Sequence, residues 1–445
     1  MTVRGVRTAP VRILEPVDAS TVNAQALGAT PPGAARSRLV SVNLSPLPTP
    51  GTGARLIEDD VELELFPNLL LTAVFDRFET IDGSGTWVGH VEDDPLSAVT
   101  LAYRDGWLTA TINTRGTVFQ IQPAPQASRP GADTRRLHIV SEVDIQSLPT
   151  GPDTPDTAPA LHAADALAAP AFDRLGDAGD VIDMMVVYTP AAEARAGGPA
   201  GMGNLIALNI SDTNTAFANS RLKLQVRLVH TALVPYVENP VTAPDPRSDL
   251  RNGVGAFAGV RALRDTYGAD VVTVIFNSAG YSYCGVSYFT NAEGSLGESY
   301  GFNAVGGTEC LGIYAFTHEL GHNLGARHDW YVDSFPTFAH GFVDTTARWR
   351  TLMSYSNLCR DLGITCQILN YFSTPQIEYV PFCSTRGINC DLLRYWFYPG
   401  TRIGVPDEGG TACRFGVIPA SPCAADNRRM VEDMALTVAN FRQSR

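Results

Sequence analysis

The sequence predicts an α/β (α+β) chain: a mainly parallel twisted sheet with helices over residues 181–445, ending in an irregular, cysteine-rich C-terminal subdomain, with a smaller antiparallel β domain ahead of it. Three observations carry this. From Val181 onward, near-continuous apolar runs alternate with helical patterns, as expected of strands covered by crossover helices. Between Leu56 and Leu148 the apolar runs are short and broken by turn residues such as Asp105-Gly106, as expected of a hairpin meander. All eight cysteines fall between Cys284 and Cys423.

Taken in order, residues 1–35 are rich in Pro, Ala, Gly, Thr and Arg without periodicity and read as a disordered segment. Residues 36–150 form the β-rich domain, with strands over Trp87–Val91, Ala98–Tyr103, Trp107–Ile112 and Val118–Ile121. Residues 151–180 have the Pro/Ala/Asp content of an exposed linker, a natural place for proteolytic cleavage; His162 within it reads as solvated. The second domain, 181–445, opens with the strand VIDMMVVYTP. Helical patterns follow over Met202–Asn219 and Val254–Tyr267, with strands over Leu222–His230 and Asp270–Phe276. Cys284–Thr290 and Tyr300–Val305 add short β-like pieces, and Asp426–Arg442 closes the chain as an amphipathic helix.

Composition narrows function. Among 445 residues, 46 acidic against 33 basic give a formal charge of -13, which argues against a protein that must neutralise nucleic-acid phosphates. No stretch reaches the ~18 apolar residues of a membrane span, and a monomer is expected. An even number of cysteines confined to one region reads as disulfides formed in an oxidising compartment, hence a secreted protein. Eight cysteines allow 105 pairings; nearest-neighbour loops (Cys284–Cys310, Cys359–Cys366, Cys383–Cys390, Cys413–Cys423) are the simplest. The opening MTVRGVRTAPVRILEP has positive charge without the apolar run of a signal peptide.

The chemistry concentrates in Thr317-His318-Glu319-Leu320-Gly321-His322-Asn323-Leu324-Gly325-Ala326-Arg327-His328-Asp329. On a helix, His318 and His322 lie four apart and project from one face, as two imidazole ligands of one ion must. Glu319 stands beside them, placed for an attacking water rather than for the metal. Gly325 can adopt a positive φ and turn the chain so that His328 supplies a third nitrogen. Three protein ligands leave one position open, the pattern of a catalytic rather than a structural zinc site. Thr351-Leu352-Met353-Ser354-Tyr355 begins 23 positions after His328.

The long histidine motif followed by a methionine turn resembles the metzincin zinc metallopeptidases. Asp329 directly after the third histidine resembles the reprolysin-like branch, whereas Met353-Ser354-Tyr355 is more like astacins and serralysins. The β-rich leader, CGVSYF, HELGHNLGARHD, FSTP and the final ADNRRM helix together look most like the bacterial peptidyl-Asp metalloendopeptidases. That resemblance implies a zymogen whose propeptide is an intramolecular inhibitor and whose substrates are proteins or peptides. Glu319 would act as base then acid, and Tyr355 would bond the oxyanion or approach the zinc. Met353 would form the floor under the histidines, and Asp329 would make a structural hydrogen bond. No cysteine precedes Cys284 to block the zinc; Asp173, Asp177 and Asp180 are positional candidates for a carboxylate in that role.

Cleavage before Asp or Glu would call for a cation in the pocket for the side chain after the scissile bond, and Arg348, Arg350 and Arg360 bracket the methionine turn. The strand-like Cys284–Thr290 is the candidate edge for an extended substrate. His340 reads as structural, and His90, His138 and His230 as ordinary strand side chains. No D-x-D-x-D-G-type loop supports a calcium site. Two alternatives remain open at this stage: a zinc endopeptidase of broad specificity, and a non-catalytic binding protein on a metzincin scaffold.

Overall fold

The structure, a computed structural model, describes residues 9–17, 33–51, 59–124, 137–145, 179–241, 245–289, 297–379, 401–407 and 423–445. Most of the expected linker 151–180, with His162, Asp173 and Asp177, lies outside the described residues, as do Cys383, Cys390 and Cys413. The chain divides into two compact units. The first comprises Met1–Ser147, Ala192–Ser211 and Gly307–Ile313; the second comprises Leu148–Ala191, Asp212–Gly306 and Tyr314–Arg445. The N-terminal unit thus recruits two segments that the sequence reading placed wholly in residues 181–445.

In the first unit ten strands form one sheet: β1 (Val11–Arg12), β2 (Leu14–Pro16), β3 (Ala34–Val42), β4 (Val61–Phe66), β5 (Leu69–Ile81), β6 (Ser84–Val91), β7 (Asp94–Arg104), β8 (Trp107–Thr114), β9 (Thr117–Pro123) and β10 (Leu137–Val143), in the order β1-β4-β5-β6-β7-β8-β9-β10-β3-β2. The expectation of disorder over residues 1–35 does not hold at 11–16, where β1 pairs with β4, β2 pairs with β3, and Ile13 is fully buried. A short run without periodicity can still be ordered when a larger sheet offers it an edge. Three of the hairpins, β5/β6, β7/β8 and β8/β9, turn through Asp82-Gly83, Asp105-Gly106 and Arg115-Gly116, with positive φ at both turn residues, which suits the twist of the flanking strands. Period-2 alternation sends Trp87, Leu101, Ala110, Ile112, Ile121 and Val140 into one apolar core. The opposite face carries a cross-strand row, Thr100–Thr111–Gln120–Ser141, that is also buried.

The second unit is built on a five-stranded sheet, β12-β11-β13-β15-β14, with β11 (Val181–Tyr188), β12 (Gln225–Leu233), β13 (Val271–Phe276), β14 (Gly285–Ser287) and β15 (Phe302–Gly306). Its pairings are parallel except β14 with β15, which is antiparallel and forms one edge. Helices α1 (Pro190–Arg195) and α2 (Pro199–Asn219) follow β11, and α3 (Pro246–Asn252) and α4 (Val260–Tyr267) precede β13. The helical pattern expected over Val254–Tyr267 is interrupted: Gly255–Phe257 is a 3-10 turn and α4 begins only after Gly259, consistent with the cost of glycine inside a helix. The core gathers Met185, Val187, Val272, Val274, Phe276 and Phe302. Helix α5 (Ala315–Asn323) follows β15 and is buried along its whole length.

Beyond α5 come β16 (Val343–Asp344), β17 (Trp349–Arg350), α6 (Asn357–Asp361), β18 (Gln367–Ile368), β19 (Thr374–Tyr379), β20 (Thr401–Ile403) and the closing helix α7 (Asn427–Val438). The Cys359–Cys366 disulfide closes the loop after α6, and Cys284, Cys310 and Cys423 are also in disulfides. The C-terminal tail returns to the sheet, where the Asp270 carboxylate accepts the backbone N–H of Asp183 at 2.8 Å and that of Arg442 at 2.9 Å. Among the described residues no helix is long and apolar enough to cross a membrane.

Candidate metal centre and active site

Helix α5 places His318 and His322 one turn apart on the same face. It ends where Gly325 takes φ +79°, and the N–H of Ala326 returns to the Gly321 carbonyl. An L side chain would resist that left-handed conformation, so the glycine is what lets the chain reverse and bring His328 back. His328 Nε2 then lies 3.1 Å from His318 Nε2 and 3.0 Å from His322 Nε2.

The second nitrogen of two rings is fixed: His318 Nδ1 donates to the Leu352 carbonyl at 2.9 Å, and His322 Nδ1 to the Ala326 carbonyl at 2.8 Å. With Nδ1 protonated, both Nε2 atoms carry lone pairs. Burial favours the same neutral state, lowering His318 to about 4 and holding His322 and His328 well below the usual imidazole range. Two Nε2 lone pairs thus converge with the Nε2 of a third, neutral imidazole, an arrangement natural around a cation. Tetrahedral zinc with bonds of about 2.0–2.1 Å spaces its ligands by roughly 3.3 Å. The donor set therefore fits zinc, and these three residues could hold a metal ion.

Met353 is fully buried beneath α5, and its sulfur lies 2.6 Å from where a Cβ on Gly321 would stand. Glycine at this position is what lets the methionine turn approach the helix. Asp329 is buried too; Oδ1 accepts the N–H of Tyr331 at 3.0 Å and Oδ2 that of Tyr355 at 2.8 Å, while burial pushes its carboxyl up to about 6. The Tyr355 ring stands 4.2 Å from the His328 ring and 5.9 Å from that of His318. Glu319 is 5% exposed, and its carboxylate packs directly on the backbone of Gly285 in the edge strand β14.

The three arginines are not brought together. Arg348 is exposed at a turn with φ +59°, and Arg360 is exposed beside Asp361 at 3.5 Å. Arg350 is buried, its Nη1 donating to the Ser354 carbonyl inside the methionine turn; burial lowers it to about 10, and its charge acts on both His318 and Asp329. Asp180 is exposed where β11 begins. His340 is fully buried, bonded to the carbonyls of His328 and Phe335 and stacked 3.7 Å from Trp330.

Other contributors emerge only in three dimensions. Phe289 meets the His322 ring edge-on at 4.5 Å. Arg327, paired with Asp333 at 2.8 Å, covers Phe289 and Phe335. Asn323 donates to Tyr288 O at 3.1 Å and accepts from Asn303 at 2.8 Å, tying the end of α5 to the sheet. Nothing in the spacing of the sequence marks these contacts, although CGVSYF marks the neighbourhood of Phe289.

A histidine cage on a buried helix, floored by a methionine turn, defines a class: residues 179–392 match the metallo-peptidase family M12B, reprolysin-like, and the chain is a zinc metalloendopeptidase. Its relatives are narrower than that class. The peptidyl-Asp metalloendopeptidase of Stenotrophomonas maltophilia is 27% identical over 358 residues, covering 73% of this chain and 78% of that protein. The protein of the same name from Xanthomonas campestris pv. campestris is 28% identical over 300 residues, 64% of each. Among solved structures, metalloproteinase-II from Bacteroides fragilis aligns with a TM-score of 0.37 at 11% identity, covering 61% of this chain and 81% of that one.

Proposed function

We propose that the protein is a secreted endopeptidase made as a zymogen, with residues 36–150 as propeptide, activation by cleavage within 151–180, and a preference for cutting on the N-terminal side of Asp or Glu. The observation that carries the catalytic reading is the convergence of the three Nε2 atoms. Zinc held by His318, His322 and His328 would polarise the scissile carbonyl and acidify the attacking water. Glu319, beside the edge strand, takes the proton of that water and returns it to the leaving amine. The substrate lies along β14, whose antiparallel edge offers backbone partners. Tyr355, standing over His328, donates its hydroxyl to the oxyanion. Asp329 and Met353 position these groups.

The acidic preference is supported by the names of the relatives and by Arg350, the one arginine of the three whose charge reaches a histidine of the cage, His318. The test is cleavage of a mixed peptide library by the full chain, by a sample cut within 151–180, by a chelated sample and by Glu319→Ala. The expected result is cutting before Asp and Glu by the processed sample, slow cutting by the full chain and none by the other two. A folded, zinc-loaded, processed sample that cuts nothing would overturn the catalytic reading, and cuts without acidic preference would overturn the specificity.

A further inference from the structure

We propose that Gln120 and Gln122 of β9 form a polar latch on the loop Gly307–Ile313, restraining the chain that leads into the His318 helix; this rests on the propeptide reading above. Gln120 Nε2 donates to the Leu311 carbonyl, Gln122 Nε2 donates to the Thr308 carbonyl at 3.1 Å, and the same Gln122 amide donates to Gln120 Oε1 at 2.8 Å. The two glutamines therefore brace each other while gripping both ends of one short loop. Gly312, at φ +85°, lies so close to β9 that a Cβ there would stand 2.6 Å from Val118 Cγ1. Only four residues separate Ile313 from His318.

The chemistry of the gripping face explains why it is a latch rather than a permanent core. Thr100, Thr111, Gln120 and Ser141 form one row across four strands, and Thr86, Ala102 and Thr109 a parallel one; all are buried. A second anchor on the same unit is also polar: Ser84 Oγ donates to Asn204 at 3.0 Å, and Asn204 Nδ2 to the Trp107 carbonyl at 2.9 Å. The hydroxyls of Thr86, Thr109 and Thr308 are buried without a hydrogen-bond partner. Water would satisfy each of them once the face opened, which makes release less costly than it would be for the aliphatic face behind it. A sheet with a hydroxyl and amide surface also stays soluble after separation. The regulation so described needs no cysteine thiolate, and none precedes Cys284.

The experiment is Gln120→Leu/Gln122→Leu in the full chain, with two readouts. Hydrogen exchange, measured in a Glu319→Gln background to prevent self-cleavage, should quicken at amides 308–314 by about tenfold, as loss of the two hydrogen bonds to the loop predicts, with β7 and β8 protected as before. Peptide cleavage by the uncut chain should rise several-fold toward that of the processed sample. Unchanged exchange at 308–314 overturns the latch, and quickened exchange without a rise in activity overturns its control of the site. If even the processed wild type cuts nothing, the peptidase reading fails, and the exchange readout alone decides whether the latch exists.

Discussion

Asp329 Oδ2 accepts the backbone N–H of Tyr355 at 2.8 Å, joining the loop that carries the third histidine to the methionine turn. Its other oxygen holds Tyr331 N, so one buried carboxylate fixes both sides of the metal cage. Asp329→Ala leaves two half-buried donors without their acceptor, at up to about 1–3 kcal/mol each, whereas Asp329→Asn keeps one acceptor. Thermal melting and metal content after gel filtration are expected to rank wild type above Asn and Asn above Ala. Equal behaviour of the two variants would show that the carboxylate's second bond is dispensable.

The contact between Glu319 and Gly285 gives a second expectation. A methyl group at Gly285 would overlap the Glu319 carboxylate, so Gly285→Ala displaces the proposed base without touching a metal ligand. General base catalysis is worth roughly 10²–10⁴-fold, and a displaced base should forfeit at least about 10-fold of it in kcat. Metal content should stay at the wild-type level, with Glu319→Gln as the more severe reference. A Gly285→Ala enzyme of normal kcat would move the base elsewhere.

Packing under the helix is testable by coupling. A Cβ at Gly321 would stand 2.6 Å from Met353 Sδ and 3.1 Å from Phe372 Cε1, so Gly321→Ala overpacks the site by about 1–3 kcal/mol. Met353→Ala opens a cavity costing about 2–5 kcal/mol. In urea unfolding, the double variant should lose less than the sum of the two single losses, because each change makes room for the other. Strict additivity would mean that methionine and helix do not share that space.

Much of this site is legible in the sequence because it is local. His318 and His322 are set by helical period and His328 by the glycine turn, and each lands within one cage. Trp107–Ile112 and Val118–Ile121 were readable as strands because they alternate and are bounded by turn residues. What escapes is long-range. The partners of Gln120 and Gln122 lie more than 180 positions away, and the Leu352 carbonyl that fixes His318 is a backbone atom that no side-chain pattern advertises. The three arginines illustrate the opposite failure: they are close in sequence, yet only Arg350 turns inward, because β17 pairs between two neighbours while Arg348 sits at a turn.

The tail clamp provides the pH prediction. Burial pushes the Asp270 carboxyl up to about 7 in the folded protein, against 3.8 for an ordinary carboxylate. Between those values the folded chain holds a proton that the unfolded chain has released, so this group's contribution to stability falls as pH rises from about 4 to about 7. Asp270→Asn retains an oxygen for the Asp183 or Arg442 N–H but cannot titrate. Urea midpoints of both proteins at several pH values across this window remove the contribution of all other carboxylates by difference. The wild type should lose stability relative to Asp270→Asn with each step upward in pH and level off above about 7. Parallel profiles would mean that the two backbone N–H bonds hold Asp270 ionised throughout, and that the clamp does not respond to pH.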